Sequence, residues 1–227
     1  MTYFLNNLGQ VWSLTLSHLI LSVIPVVLGF AFSLPIGWFA FRYRFSRPFI
    51  LTLTGILYAI PSLPLFFAMP AFLGTRILDP VNLVAALTLY ALALMVRSTV
   101  DALMSVSEAV IVSAMAVGFS RWQRLWLVEF PLAGPVLLAG LRVVSVSTIS
   151  LVSIGALLGI PNLGQLFTDG LNRSYPDEVG TGIVLIMVLA LVCDRALVLA
   201  GWSLMPWTRR PGVDRRREMI SEAVVRP

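Results

Sequence analysis

The chain has 227 residues, 58% apolar and only 12% charged, with a mean hydropathy of +0.91 and a net charge of +5. That composition excludes an ordinary water-soluble domain and points to a polytopic membrane protein. The positive charge is all arginine, with no lysine, and it is divided among several loops rather than gathered in one patch, which excludes nucleic acid as its partner.

A bilayer core of about 30 Å needs roughly 20 apolar residues as helix. Five stretches meet that requirement, near 14–41, 49–73, 81–104, 134–159 and 180–205. Ahead of them, Met1 to Ser13 has no positive n-region and no small-residue cleavage site, so the first span is expected to be retained. His18 is the only histidine and is read as a packing or interfacial residue rather than a proton relay. Pro25, Pro35, Pro61, Pro64 and Pro70 are expected to break the first two spans, where neighbouring helices or water can re-satisfy the backbone.

The first hydrophilic break, 42–48, carries Arg42, Arg44 and Arg47, and the next, 74–80, carries Arg76 and Asp79. On the third span Arg97 and Asp101 are four apart and share a helical face. They are read as a structural ion pair, the alternative being a pair that transmits movement from the segment that follows.

That segment, 105–131, predicts two short helices at a sharp angle. Ser105 and Glu108 have capping-box spacing, as do Ser120 and Gln123. Gly118 falls between them, where a helix C-terminus needs positive φ, and Pro131 suits the first turn of the next helix. The segment reads as a docking surface for a soluble partner.

The fourth span carries Ser145, Ser147, Thr148, Ser150 and Ser153, a polar stripe broad enough to line a water-filled path. Hydroxyls in spans also bond their own backbone or pack against neighbours, and both readings stand. Arg142, near the start of this span, is free to snorkel to the surface. The loop 160–180 is too polar for hydrocarbon. It is read either as a functional external segment or as a solvated connector. Asp194 and Arg195 are adjacent in the fifth span and point about 100° apart, so each needs a partner on another helix or subunit. A structural role at a dimer interface is favoured for both. Trp12, Trp38, Trp202 and Trp207 sit near span ends as an aromatic belt rather than a cage for a cationic ligand.

Alternate breaks lie on one side of a membrane. Grouping 42–48, 105–131 and the tail places eleven arginines together, against Arg76 and Arg173 opposite. The positive-inside rule therefore predicts the N-terminus outside, the C-terminus in the cytoplasm and 105–131 facing the cytoplasm. Residues 1–205 form the predicted transmembrane domain and 206–227 a charged cytoplasmic tail whose basic run suits anionic headgroups. Cys193 is the one cysteine, and no Cys/His cluster suggests a metal. No G-x-x-x-x-G-K-[ST] loop is present, so an ATP site of that kind would have to come from another chain. With no paired carboxylates in one span and no nucleophile beside a base, no catalytic residue is nominated.

From Val112-Ser113-Ala114 through Gly118 to Val128, Phe130 and Pro131, the chain resembles the EAA loop of ABC importer permeases. That loop reads E-A-A, three residues, Gly, nine residues, a branched apolar residue, any residue, Leu, Pro. Val112, Ser113 and Phe130 depart from it, so spacing, Gly and Pro carry the likeness. Ala59-Ile60-Pro61-Ser62-Leu63, Val96-Arg97-Ser98-Thr99, Phe130 to Pro135, Ala139 to Arg142, and Ile154-Gly155-Ala156 through Asn162-Leu163-Gly164 resemble the osmoprotectant group of these permeases. The likeness covers most of 14–205.

The resemblance implies an all-α membrane protein of the type I ABC importer permease fold, with about five transmembrane helices and a cytoplasmic coupling helix-turn-helix. It implies a multi-pass subunit of the bacterial inner membrane for glycine betaine, choline, carnitine or proline, the nearest alternative being methionine or another amino acid. The implied partners are ABC ATPase subunits carrying ATP and Mg, a second permease copy or homologue, an extracytoplasmic substrate-binding protein and the lipid bilayer. Residues 107–119 would insert into the ATPase, so Ser107, Glu108, Val112, Ser113, Ala114, Gly118, Phe119, Ser120 and Pro131 are the implied coupling residues. Ser147, Thr148, Ser150 and Ser153 are the implied pathway residues. Arg97, Asp101, Asp194 and Arg195 remain structural.

Overall fold

A computed structural model of the chain describes residues 2–209. The charged run after Arg209, to which the headgroup-binding expectation for the tail belongs, lies outside the described residues.

The described residues form helices and no strand. A short α1 (Thr2–Asn6) leads into α2 (Leu8–Arg42), followed by α3 (Ser46–Ala59), α4 (Ser62–Leu73) and α5 (Pro80–Met104). Then come α6 (Glu108–Ala116), α7 (Arg121–Arg124), a π turn at Leu125–Glu129, and α8 (Phe130–Val152), which tightens into a 3-10 segment at Ser153–Leu158. Beyond it, α9 (Gln165–Asn172) and α10 (Pro176–Leu204) complete the bundle. Four helical units are long and apolar enough to cross a bilayer, beginning at Leu8, Pro80, Arg121 and Pro176, and α3 with α4, bent by 105° at the break between them, is a fifth only if the pair is one broken span rather than a re-entrant loop.

The long helices hold together by close backbone approach, because lipid supplies no hydrophobic drive between them. Gly29, Ser33 and Gly37 recur every four residues on the buried face of α2. A Cβ at Gly29 would lie 2.5 Å from the Cβ of Ala91, and one at Gly37 2.6 Å from that of Thr99, so α2 and α5 meet where neither carries bulk. Larger side chains fill the space beside this seam. Leu65, Phe66 and Met69 of α4 pack against Leu83, Leu87 and Tyr90 of α5, and Met95, Leu103, Leu137 and Val144 fill the other half.

Several expectations are corrected here. Pro25 and Pro35 lie inside an unbroken α2. Only Pro61 interrupts a span, because it withholds the amide that would carry α3 onward. The second helix of 105–131 is not separate: α7 runs through the π turn into the fourth span. There the Phe130 N–H donates to the Leu125 carbonyl five residues back. The wider turn is local to Pro131, whose ring would otherwise meet the carbonyl four residues before it. The 160–180 loop is neither long nor wholly solvated. Asn162, Leu163 and Leu166 are fully buried, and the Asn162 side chain donates to Ile160 O (2.8 Å) and accepts from Gly164 N (2.7 Å).

His18 explains how the cap formed by this segment is fastened. Its Nδ1 accepts from Leu163 N (3.3 Å), so Nε2 carries the proton and donates to Ile149 O (2.9 Å). One buried ring thus ties α2 to α8 and to the cap, which agrees with packing rather than proton relay.

Candidate functional site: a coupling loop and a broken span

The segment between α5 and α8 projects from one end of the bundle. Only Ala114 of α6 is buried. Val112, Met115 and Val117 are 52%, 49% and 78% exposed, an apolar surface at one end of the bundle. Gly118 has φ +92°, and the carbonyls of Ala114 and Met115 accept from Phe119 N and Gly118 N. This is a Schellman end to α6, and it requires the left-handed conformation at Gly118. The next helix starts on a reciprocal capping box, with Gln123 N donating to Ser120 Oγ (3.3 Å) and Ser120 N donating to Gln123 Oε1 (2.9 Å).

The first capping box does not form. Ser107, not Ser105, precedes α6, and it makes no side-chain cap. Ser105 instead ends α5, its hydroxyl donating to Ala102 O. Glu108 opens α6 without a capping role, and Ser113 Oγ bonds back to Ala109 O. The structure brings Ser107, Glu108, Val112, Ser113, Ala114, Gly118, Phe119 and Ser120 into one projecting loop, with Pro131 nearly three turns into the helix behind it.

The four hydroxyls implied for the pathway, Ser147, Thr148 and Ser150 of α8 and Ser153 just beyond it, divide. Thr148 is buried against the bundle, whereas Ser150 is exposed and Ser147 and Ser153 are half-exposed, three residues apart on the outward face. Ser153 Oγ bonds back to Ser150 O. Thr148 is therefore removed from the candidate pathway face.

The charges are also rearranged. Arg97 and Asp101 are both exposed, and among the described residues no ion pair joins them, which corrects the expected pairing. Pairing two exposed, flexible side chains gains little. Asp194 finds its partner within the chain: Arg142 Nε and Nη2 donate to its two carboxylate oxygens at 2.6 and 2.9 Å. Arg142 is thus fixed rather than snorkelling, and Arg195 is left exposed on α10.

The break between α3 and α4 falls at Pro61, one of the prolines expected to interrupt the first two spans, but sequence reasoning did not single it out as part of a site. Among the described residues no backbone hydrogen bond crosses it. The Tyr90 hydroxyl donates to Ile60 O. Tyr90 is ten residues past the start of α5, so the break sits roughly 15 Å into the span, near the bilayer midplane. Tyr58 and Ile60 are 46% and 37% exposed there. Below the elbow lies an apolar cavity of about 890 Å³ in which Thr88 is the sole polar lining residue, so it offers nothing to a charged solute. The Ile60-Pro61 dipeptide carried the signal, because the residue before a proline leaves the helical region.

Residues 29–203 match the family described as binding-protein-dependent transport system inner membrane components. The chain belongs to that family. Its relatives include an osmoprotectant import permease of Salmonella typhimurium, 34% identical over 85% of this chain and 90% of that one. A glycine betaine/carnitine/choline permease of Bacillus subtilis is 30% identical over 93% of this chain and 91% of its own. An ergothioneine transport permease/ergothioneine binding protein of Helicobacter pylori is 36% identical over 72% of this chain but 29% of that protein. Among solved structures, the MetNI methionine ABC transporter aligns with a TM-score of 0.70 at 19% identity over 89% of this chain and 98% of that one, a likeness of fold. The chain is thus a multi-pass membrane transport subunit of the type I importer architecture.

Proposed function

We propose that this chain is the permease of an ATP-driven importer for osmoprotectants of the glycine betaine, choline, carnitine and proline class. The observation that carries this is likeness, over more than four-fifths of both chains, to relatives named for osmoprotectants and for glycine betaine, carnitine and choline. The likeness to a methionine transporter is confined to fold, so methionine is the weaker reading. Two copies or two homologues form one pathway. The projecting loop docks on a separate ATPase that holds ATP and Mg, with the N-terminus outside and the loop cytoplasmic, as the arginine distribution favours. An extracytoplasmic binding protein delivers substrate to the opposite end, consistent with the relative whose name joins permease and binding protein.

The apolar face of α6 follows the ATPase as it closes on ATP. Because Ser120 locks the start of α7 and α7 is continuous with α8, displacement at Gly118 passes as rigid-body motion into the fourth span. The pathway is lined by the outward hydroxyls Ser147, Ser150 and Ser153 and by the α3–α4 break. Irregular backbone at membrane depth is tolerated only in protein or beside water, so the exposed break faces the path rather than lipid. Half-helix ends with an aromatic ring suit a cationic ammonium solute.

The test is uptake of radiolabelled glycine betaine, choline, proline and ergothioneine in cells with and without this chain, at high and low osmolarity, repeated with the partner ATPase inactivated. ATP-dependent betaine or choline uptake that requires the chain supports the proposal. Unchanged uptake of all but ergothioneine reassigns the substrate, and methionine is tried next if none responds.

A further inference from the structure

Behind the coupling loop, at the end of α2, lies a pocket of about 430 Å³ unlike the apolar cavities of the bundle. Arg42, Arg121 and Arg124 line it with Trp38, Trp122 and Glu129. Glu129 is buried and accepts from Arg124 Nε at 2.6 Å, which neutralises one guanidinium. Among the described residues Arg42 and Arg121 have no carboxylate partner. The pocket therefore concentrates two unanswered positive charges, and guanidinium groups match phosphate oxygens in geometry as well as in charge.

Its depth indicates where the phosphate comes from. Trp38 and Trp122 stack at 5.5 Å on one side, joining the end of α2 to α7. Tyr43 and Trp122 stand 52% and 63% exposed on its lining, the aromatic signature of the headgroup layer. Phe41, Ile111 and Leu125 supply apolar lining beside the arginines, as a glycerol and the first acyl carbons require. A basic pocket between helices at this level is a site for an anionic headgroup.

We propose that this pocket binds the phosphate of an anionic phospholipid, bridging Arg42 of α2 and Arg121 of α7. Because Arg121 immediately follows the Ser120 cap and is three residues from the Gly118 hinge, an occupied pocket ties the coupling loop to the membrane-embedded bundle. The site itself depends only on the membrane placement of the chain and not on the osmoprotectant reading.

The full chain is purified, exchanged into phosphatidylglycerol or phosphatidylcholine micelles, and its retained lipid is counted by native mass spectrometry. The wild type is expected to retain phosphatidylglycerol at least tenfold over phosphatidylcholine, unaffected by millimolar inorganic phosphate. Arg42→Gln with Arg121→Gln is expected to lose that preference. Arg44→Gln with Arg76→Gln, the same change in charge outside the pocket, is expected to keep it, and the Arg42→Lys/Arg121→Lys pair to keep part of it. Equal retention in the pocket and control variants, or no preference in the wild type, overturns the proposal. So does displacement by inorganic phosphate, which would make the pocket a soluble-anion site. If the double glutamine variant does not fold, Arg121→Gln alone and the wild-type lipid preference decide the matter.

Discussion

Arg142 and Asp194 meet in a two-pronged ion pair that joins α8 to α10, 52 residues apart in sequence. Asp194→Asn leaves the Arg142 guanidinium without its counter-charge in a span. The expected result is a lower melting temperature and less monodisperse protein after extraction. The charge-swapped double variant Arg142→Asp/Asp194→Arg should recover part of the loss, because only the order of the charges changes. If the swap is no better than the single variant, the pair is incidental and the packing around it is what matters.

Gly118 supports the coupling proposal most directly. Nothing lies within 4 Å of a Cβ added there, so the penalty for substitution is conformational and not steric. Holding a non-glycine residue at that φ costs of order 1–3 kcal/mol, less for asparagine than for a β-branched residue. Gly118→Val should still insert and fold, with melting lowered by no more than that strain allows, while uptake per ATP hydrolysed falls about tenfold or more, and Gly118→Asn should fall between. Normal coupling in the valine variant would remove α6 from the mechanism.

The projecting loop was largely legible in sequence because its signals are local. Gly118, Ser120 and Gln123 act within a few residues of one another, and the structure keeps all three. Ser105 failed for an equally local reason: its hydroxyl serves the end of α5 at Ala102 instead of starting α6. Partners distant in sequence were not legible. Nothing in the chain order links Arg142 to Asp194, or His18 to Leu163, and the prolines of α2 look like that of the break until one sees which of them interrupts the helix. The serine stripe divided because a helix turns 100° per residue, so Thr148 and Ser150, two residues apart, point to nearly opposite sides.

His18 offers a test between fastening and proton traffic. His18→Leu removes the donor to Ile149 O and the acceptor for Leu163 N, and each buried group left without a partner costs about 1–3 kcal/mol. The expected outcome is a marked drop in melting temperature with uptake per folded molecule preserved. A relay residue would give the reverse, an intact fold with no uptake.

At the N-terminal end of the bundle, ahead of the first span, Tyr3 ties α1 to α10. Its hydroxyl donates to Glu178 Oε1 at 2.9 Å and its backbone N–H to Asp177 at 3.1 Å. Burial, and then the hydrogen bond to Glu178, push the phenol up to about 12. A raised folded value favours the protonated form, so this contribution is complete below the ordinary tyrosine value near 10 and is lost as pH rises through about 12. The melting-temperature gap between wild type and Tyr3→Phe should therefore hold steady to about pH 10 and close above it. A gap that closes by pH 8 would show that Tyr3 is not held in this way.

Tyr58 tests whether the broken span faces the path. Its ring stands 5.9 Å from that of Tyr90, edge to face, and is 46% exposed at a depth where a bare helix end cannot meet lipid. An ammonium solute over such a face gains about 0.5–2 kcal/mol, or roughly two- to thirty-fold in binding. Tyr58→Ala should lower the uptake efficiency for glycine betaine or choline within that range at unchanged expression, and Tyr58→Phe, which keeps the ring, should stay near wild type. Proline, whose ammonium is not quaternary and is better served by hydrogen bonds, should be affected less. If alanine and phenylalanine behave alike and uptake is unaltered, Tyr58 does not meet the solute, and the outward serines of α8 become the surface to examine.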